Sequence, residues 1–345
     1  MQLGIDTFVA TPFDPALRTP ETDVQRVDGL LQEAELADRI GLDVFAVGEH
    51  HRREFVSSAP TILLAAIAAK TNNITLASAV TVLSSDDPIR VFQQFATIDL
   101  ISHGRAEIIV GRGSFIESYP LFGYDLSQYD LLFKEKLDLL LMVRDETEVH
   151  WRGSHRAELT GQGVYPRPIQ NPLPIRLGVG GSPESFVRAG KLGLPLTLAI
   201  IGGEAVRFRR SVDSYREAWI QAGHDPANID VAVHTIGFLD DTDQKAADNF
   251  YPSYSDTFTR IGKERGWPPT TREQYDATIS PRGALMVGSP ESVAAKIRHF
   301  DKALGGISRL SILLDGGLVP HEHRLHAIEL LGTKVKPMLE ESVTG

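Results

Sequence analysis

Eight short apolar runs recur along this chain, and each is followed by a longer stretch whose apolar residues fall at helical spacing. The runs are Leu3–Phe8, Leu42–Val47, Ile74–Val82, Ala106–Val110, Ile175–Val179, Leu196–Ile200, Ile229–Phe238 and Ser308–Leu314. After the first, Val24, Val27, Leu30, Leu31, Ala34, Ala37 and Ile40 mark one face of an amphipathic helix, and Gly41 stops it. The same periodicity predicts helices over Ala59–Lys70, Ile89–Ile101, Tyr129–Val143, Glu184–Lys191, Glu204–Gln221, Gln244–Lys263, Pro290–Leu304 and His323–Leu339. The strands are apolar nearly throughout, as in Ile108-Ile-Val110. Strands covered on both faces read this way, and alternation with helices argues for parallel pairing. The expected fold class is α/β, with eight units closing into a (β/α)8 TIM barrel; an open doubly wound sheet is the competing arrangement.

At 345 residues the chain is long for one domain. Barrels are the usual exception, at ~250 residues plus insertions, so residues 1–345 are read as a single barrel domain. Two links exceed a plain strand–helix unit: about 60 residues separate strands four and five, and about 70 separate strands seven and eight. Segment 145–174 is predicted to hold a small hairpin around Glu148–Trp151, and segment 239–289 carries Tyr251, Tyr254, Phe258 and Trp267. Insertions after barrel strands belong at the C-terminal face, so both are expected as pocket walls or a lid, with subunit contacts as the competing role.

Composition removes several function classes. The net charge is -10, and the densest basic cluster, Arg207-Phe-Arg-Arg210, sits on a predicted helix face, so no nucleic-acid partner is expected. No cysteine is present, which excludes disulfides, thiolate nucleophiles and Cys-based metal sites. The segment Met1–Phe8 lacks a charged leader with an apolar core, and no apolar run approaches ~20 residues. The expectation is a cytoplasmic protein without a membrane partner.

Chemistry-bearing residues gather where the strands end. Strand two runs into Gly48-Glu49-His50-His51-Arg52, which sets imidazoles at the barrel mouth, where they can hydrogen-bond, move protons or bind metal. Neighbouring side chains point to opposite sides, so one histidine of the pair faces inward. Strand three ends in small residues around Ala79, which admit a flat ligand or simply fit a tight interior. In Gly111-Arg112-Gly113-Ser114, one Arg between glycines suits a bidentate contact to a phosphate. Strand five runs into Gly178-Val-Gly180-Gly181-Ser182-Pro183-Glu184-Ser185, where Ser182 reads as an N-cap and Pro183 as the first helical residue. Such a helix start is an anion site. Gly288-Ser-Pro-Glu-Ser292 repeats the string before another helix, which marks Ser-Pro-Glu as a capping device as well; the extra glycines favour the first copy for phosphate. The cluster His321, His323 and His326 is read as a solvated helix start, and no metal is expected.

Together these segments resemble the bacterial luciferase-like, flavin-dependent oxidoreductase family over nearly the whole chain. The resemblance is carried by Glu49-His50-His51, Ala79-Val-Thr-Val-Leu83, Asp87-Pro-Ile-Arg90, Asp99-Leu-Ile-Ser-His-Gly-Arg105 and Val110-Gly-Arg-Gly113. It implies a (β/α)8 barrel that binds reduced FMN beyond strand five. By resemblance, the Ala79–Val80 peptide is a non-prolyl cis bond lying against the flavin. Arg112, Ser182 and Ser185 match phosphate contacts beside Gly180 and Gly181, and His50 matches the catalytic histidine. The implied activity is a monooxygenase reaction in which reduced flavin activates O₂ and one oxygen atom passes to a small organic substrate. A separate NAD(P)H:flavin reductase and a homo-oligomer are the implied partners. Gly111 stands where luciferase has a reactive cysteine and Gly181 where it has a glutamate, so the likeness is to the broad family. Three other readings use the same residues: a deazaflavin-dependent dehydrogenase, a non-catalytic flavin-binding protein and a metal-dependent barrel hydrolase.

Overall fold

The computed structural model describes residues 1–11, 22–113 and 115–341; Ser114 of the Gly-Arg-Gly-Ser turn lies outside them. Eight parallel strands form the barrel: β1 (Gln2–Thr7), β2 (Val44–Val47), β3 (Thr75–Ser78), β4 (Ala106–Gly111), β5 (Ile175–Val179), β6 (Leu196–Ala199), β7 (Val231–Leu239) and β8 (Arg309–Leu313). Each pairs with its sequence neighbour, and β8 closes on β1 through Leu3↔Leu310 and Ile5↔Ile312. The open sheet is thereby excluded. The main outer helices are α1 (Asp23–Arg39), α2 (Pro60–Ala68), α3 (Pro88–Ser102), α4 (Tyr129–Asp145), α5 (Pro183–Lys191), α6 (Arg209–Gln221), α7 (Pro290–Leu304) and α8 (His321–Leu330).

The large core lies between strands and helices. Phe45, Phe92, Phe95, Phe186, Phe238 and Phe300 are all fully buried there, each worth ~1.5–3 kcal/mol of apolar transfer. Inward positions follow a different logic. Near the strand starts they are charged: Arg309 (β8) pairs with Glu107 (β4) at 2.5 and 3.1 Å and donates from its Nε to Gln2 Oε1 at 2.8 Å. Arg176 (β5) holds Asp230 at 2.6 and 2.7 Å. This ion-paired layer fills the barrel floor. Above it Val44, Ala46, Ala77 and Ile109 form a small apolar cluster that Ala79 and Val80 extend.

The structure departs from the sequence expectations in four places. The run Ile74–Val82 is not one strand; β3 stops at Ser78, and Thr81–Val82 pairs separately with β4. Helix 204–221 begins as a 3₁₀ turn, Ala205–Phe208. The last helix starts at His321 and passes through a π-type turn, Leu331–Val335. Segment 145–174 does not wall the mouth. Its antiparallel hairpin, Glu148–Trp151 with Leu159–Gly163, follows α4 and precedes β5; it runs back along the outside of α4, so that His155 meets Glu135 and Gln128 and Arg156 meets Asp87, and none of its residues lines the cavity described below. Arg167 there donates to the carbonyls of Val143 and Arg144 at 2.8 and 2.6 Å, the last turn of α4. The second insertion does follow a strand directly. Its helix Asp243–Arg265 lies over the C-terminal end, where Glu264 pairs with Arg52 and Ser253 Oγ accepts from Leu318 N at 3.3 Å. No helix among the described residues is long and apolar enough to cross a membrane.

Candidate active site

A cavity of about 420 Å³ opens at the C-terminal end of the barrel, within the ~300–1,000 Å³ typical of small-ligand sites. Its apolar floor is Val44, Ala46, Ala79, Val80, Ile109 and Gly178. One end carries Arg112, Tyr129, Gly180 and Ser182; Asp6, Phe8, His234 and Ser311 also line it, from strands on the opposite side.

The floor is shaped by the break after β3. The Ser78 hydroxyl donates to Ile109 O and accepts from Ile109 N, both at 3.0 Å. A side chain thus replaces the backbone ladder for two residues, and Ala79–Val80 bulges inward. The Ala79–Val80 peptide is cis. Glu49 secures the far side of the bulge: one carboxylate oxygen accepts from Val82 N at 2.8 Å and the other meets His51 Nε2 at 2.8 Å. Glycine makes the bulge possible. A Cβ on Gly111 would lie 2.6 Å from Val80 Cγ2, and one on Gly178 would lie 2.8 Å from Val80 Cγ1.

At the cationic end, the Arg112 guanidinium lies 4.8 Å over the Tyr129 ring and reaches Ser185 Oγ at 3.4 Å and Asp130 Oδ1 at 2.5 Å. Gly180 has open space where a Cβ would stand, and Gly181 adopts φ +126°, which disfavours any side chain. Ser182 occupies the N-cap position of α5, but its hydroxyl bonds the Glu184 carboxylate at 2.8 Å instead of a helix amide. In the repeated string Ser289 does cap its helix, accepting from Ser292 N at 3.3 Å. The two copies therefore differ: the second is a side-chain cap, and the first holds its hydroxyl on Glu184 at the end of the cavity that Arg112 also lines.

His50 is not among the residues that line the cavity. Its ring packs against Phe8, Phe55 and Phe115 at 4.3, 4.7 and 4.9 Å between centroids, and Phe8 is the member that lines the wall. Burial first, then the charge of Arg52, pushes the His50 pKa down to about 3, so the imidazole is neutral. His51 faces Glu49 and Phe122. The other histidine cluster is dispersed: His321 meets Gln32 and Glu33 on α1, whereas His326 meets Asp241.

Sequence reasoning passed over Asp6 and His234. Asp6 and His234 sit on β1 and β7, and His234 Nδ1 meets Asp6 Oδ2 at 2.8 Å. The signal was present, since each is an ionisable residue inside a largely apolar strand, where a side chain of that kind must face the barrel interior or a cavity.

The family model for luciferase-like monooxygenases matches residues 3–306. The chain belongs to that family. It is 31% identical over 223 residues to the N-acetyl-S-alkylcysteine monooxygenase of Bacillus subtilis, covering 62% of this chain and 64% of that one. It is 30% identical over 184 residues to an uncharacterized protein of Sinorhizobium fredii, 53% of each chain. These two matches thus span between half and two thirds of the relatives' own length. Among solved structures, the fold is similar to the monooxygenase RslO1 of Streptomyces bottropensis, with TM-score 0.86, 22% identity and coverage of 98% and 99% of the two chains. It is similar to the oxygenating constituent of 3,6-diketocamphane monooxygenase of Pseudomonas putida in complex with FMN, with TM-score 0.77, 21% identity and 98% coverage of both. An F420-dependent secondary alcohol dehydrogenase shares the fold at TM-score 0.75 and 17% identity, again with 98% of both chains covered. The diketocamphane monooxygenase structure holds FMN, and the alcohol dehydrogenase structure holds an F420–acetone adduct.

Proposed function

We propose that this luciferase-like protein is an FMN-dependent monooxygenase that takes reduced FMN and O₂ and oxidises a small organic substrate. The observation that carries the reading is the shape and charge of one cavity: an apolar floor built on the Ala79–Val80 bulge, ending at Arg112 and the start of α5. The residues fit a flavin phosphate. Glycines stand where a Cβ would close the floor against Val80, and a cation beside the N-terminal end of α5 forms the anion end. When bound, reduced FMN supplies the electrons that activate O₂.

In this reading Arg112, Ser185 and the Gly180–Ser182 turn hold the phosphate. Ala79 and Val80 give the ring a flat bed. Phe8 and the three rings behind it exclude water from that side. His50, neutral and enclosed, contributes to the wall through Phe8. The test is fluorescence titration of the protein with FMN and with F420 in parallel, followed by O₂ consumption with chemically reduced FMN. Binding of FMN with oxygen uptake supports the reading; binding of F420 alone replaces it with hydride transfer.

A further inference from the structure

We propose that Asp6 and His234 form the acid–base pair of this cavity, with His234 Nε2 set to take the proton of an O–H-bearing substrate, a phenol or an enol. The proposal rests on the flavin reading, because it assigns the wall across the barrel from the phosphate anchors. Arg112 and Ser182 follow β4 and β5; His234 and Asp6 sit on β7 and β1, with β8 between those two strands.

The orientation of the imidazole follows from the pair. A carboxylate can only accept, so the Nδ1 that meets Asp6 Oδ2 at 2.8 Å carries the hydrogen. Nε2 is then the bare, basic nitrogen. No described residue hydrogen-bonds to it, and the side chain keeps 14% of its surface accessible in a cavity-lining position. Asp6 is 2% exposed, and its Oδ1 is buried with no hydrogen-bond partner among the described residues. That leaves one further acceptor on the same wall. An acid–base group needs a partner that fixes its tautomer and balances the charge it gains, and Asp6 does both. Burial alone would disfavour the imidazolium, but the Asp6 charge and hydrogen bond outweigh it and hold the His234 pKa above the ordinary histidine value. Among the described residues Asp6 is the charged group that sets that balance, and Phe8, Ala199 and Ser311 line the cavity beside His234.

The step is a proton transfer without redox change. The substrate O–H bond breaks, its proton binds His234 Nε2, and the electron pair stays on the substrate oxygen. The resulting oxyanion makes its carbon framework more nucleophilic toward oxygen, and the imidazolium returns the proton to the product. His50 stands behind Phe8, outside the cavity lining.

The probes are 4-fluorophenol and 4-fluoroanisole, which differ in the O–H, titrated against FMN-loaded protein by fluorine NMR. The phenol should bind roughly tenfold tighter, the size of one good hydrogen bond to a basic group. His234→Gln and Asp6→Asn should each abolish that preference while FMN affinity stays unchanged. Long-range proton–nitrogen NMR of the unsubstituted protein should show His234 with hydrogen on Nδ1, and Asp6→Asn should lower its pKa. Equal binding of the two probes, a preference that survives His234→Gln, or a neutral His234 ring with hydrogen on Nε2 instead of Nδ1 would each overturn the proposal. If FMN fails to bind, the flavin reading falls; the tautomer and the probe preference are then read on the flavin-free chain and decide this proposal separately.

Discussion

Gly111 lies against Val80: a single methyl group on Gly111 would come within 2.6 Å of Val80 Cγ2. Val80 is β-branched and stiff at χ1, and the open side left to it is the cavity that it lines. Gly111→Ala should therefore displace the bulge, at a cost of roughly 1–3 kcal/mol for overpacking. FMN titration should show weakened binding together with a lowered melting temperature. Unchanged affinity would mean that the floor of the cavity does not bear on the flavin.

Arg112 is held by weak partners. The ion pair with Asp130 is solvent-facing on the aspartate side, which is 68% exposed, and such pairs contribute ~0–1 kcal/mol. A phosphate can take the guanidinium from Asp130 at little expense. Arg112→Ala should weaken FMN binding by about 1.5–3 kcal/mol, the range for a charge-assisted hydrogen bond. Asp130→Asn should tighten it slightly. Titration of both variants under one salt condition makes the comparison.

The floor pair Arg309–Glu107 is buried on both sides, with 7% and 8% of the side chains exposed. Glu107→Ala leaves a buried guanidinium without its carboxylate, a change that costs ~3–5 kcal/mol. Urea unfolding should register that loss. FMN affinity should hardly move, because the floor lies beneath the apolar cluster and away from the anion end.

Acid should weaken the fold through two groups of opposite charge type. Burial raises the Glu33 carboxyl, but the Arg26 charge, then His321 and Arg324, outweigh it and hold the pKa at about 2 against 4.5 unperturbed. A depressed carboxyl gives stability that is present above the unfolded value and is lost as pH falls toward the folded one. His50 is held at about 3 against 6.5, so the unfolded chain binds a proton that the fold refuses, and stability again falls with pH, from about 6.5 downward. Urea unfolding from about pH 7 to about pH 3 should show both losses. Glu33→Gln should flatten the lower part of the curve, and His50→Gln the upper part. A wild-type stability independent of pH across this window would remove both assignments.

Much of the barrel was legible because its signals are local. A strand buried on both faces is apolar along its length, a helix on the barrel shows a stripe, and Gly or Pro punctuates the joins; all of this lies within windows of a few residues. Arg112 and the Gly180–Ser182 turn were legible for the same reason, being single residues or short turns at strand ends. The break at Ser78 was not, because an unbroken apolar run hides a side chain that replaces the ladder of its neighbour. That segment 145–174 packs along the outside of α4 instead of lining the cavity depends on contacts such as His155 with Glu135 and Arg156 with Asp87, which join residues far apart in the chain.

By itself, then, the sequence determined the order of strands and helices, the barrel class and the cationic turn beside α5, since periodicity and composition act over neighbouring residues. Tertiary structure alone decided which polar groups meet. Asp6 and His234 are 228 residues apart and come to 2.8 Å only when β7, β8 and β1 close the barrel. Of the two adjacent histidines after β2, packing by Phe8, Phe55 and Phe115 enclosed His50, and Glu49 engaged His51. Such pairings are set by distance and burial across the closed sheet, quantities that no local pattern encodes.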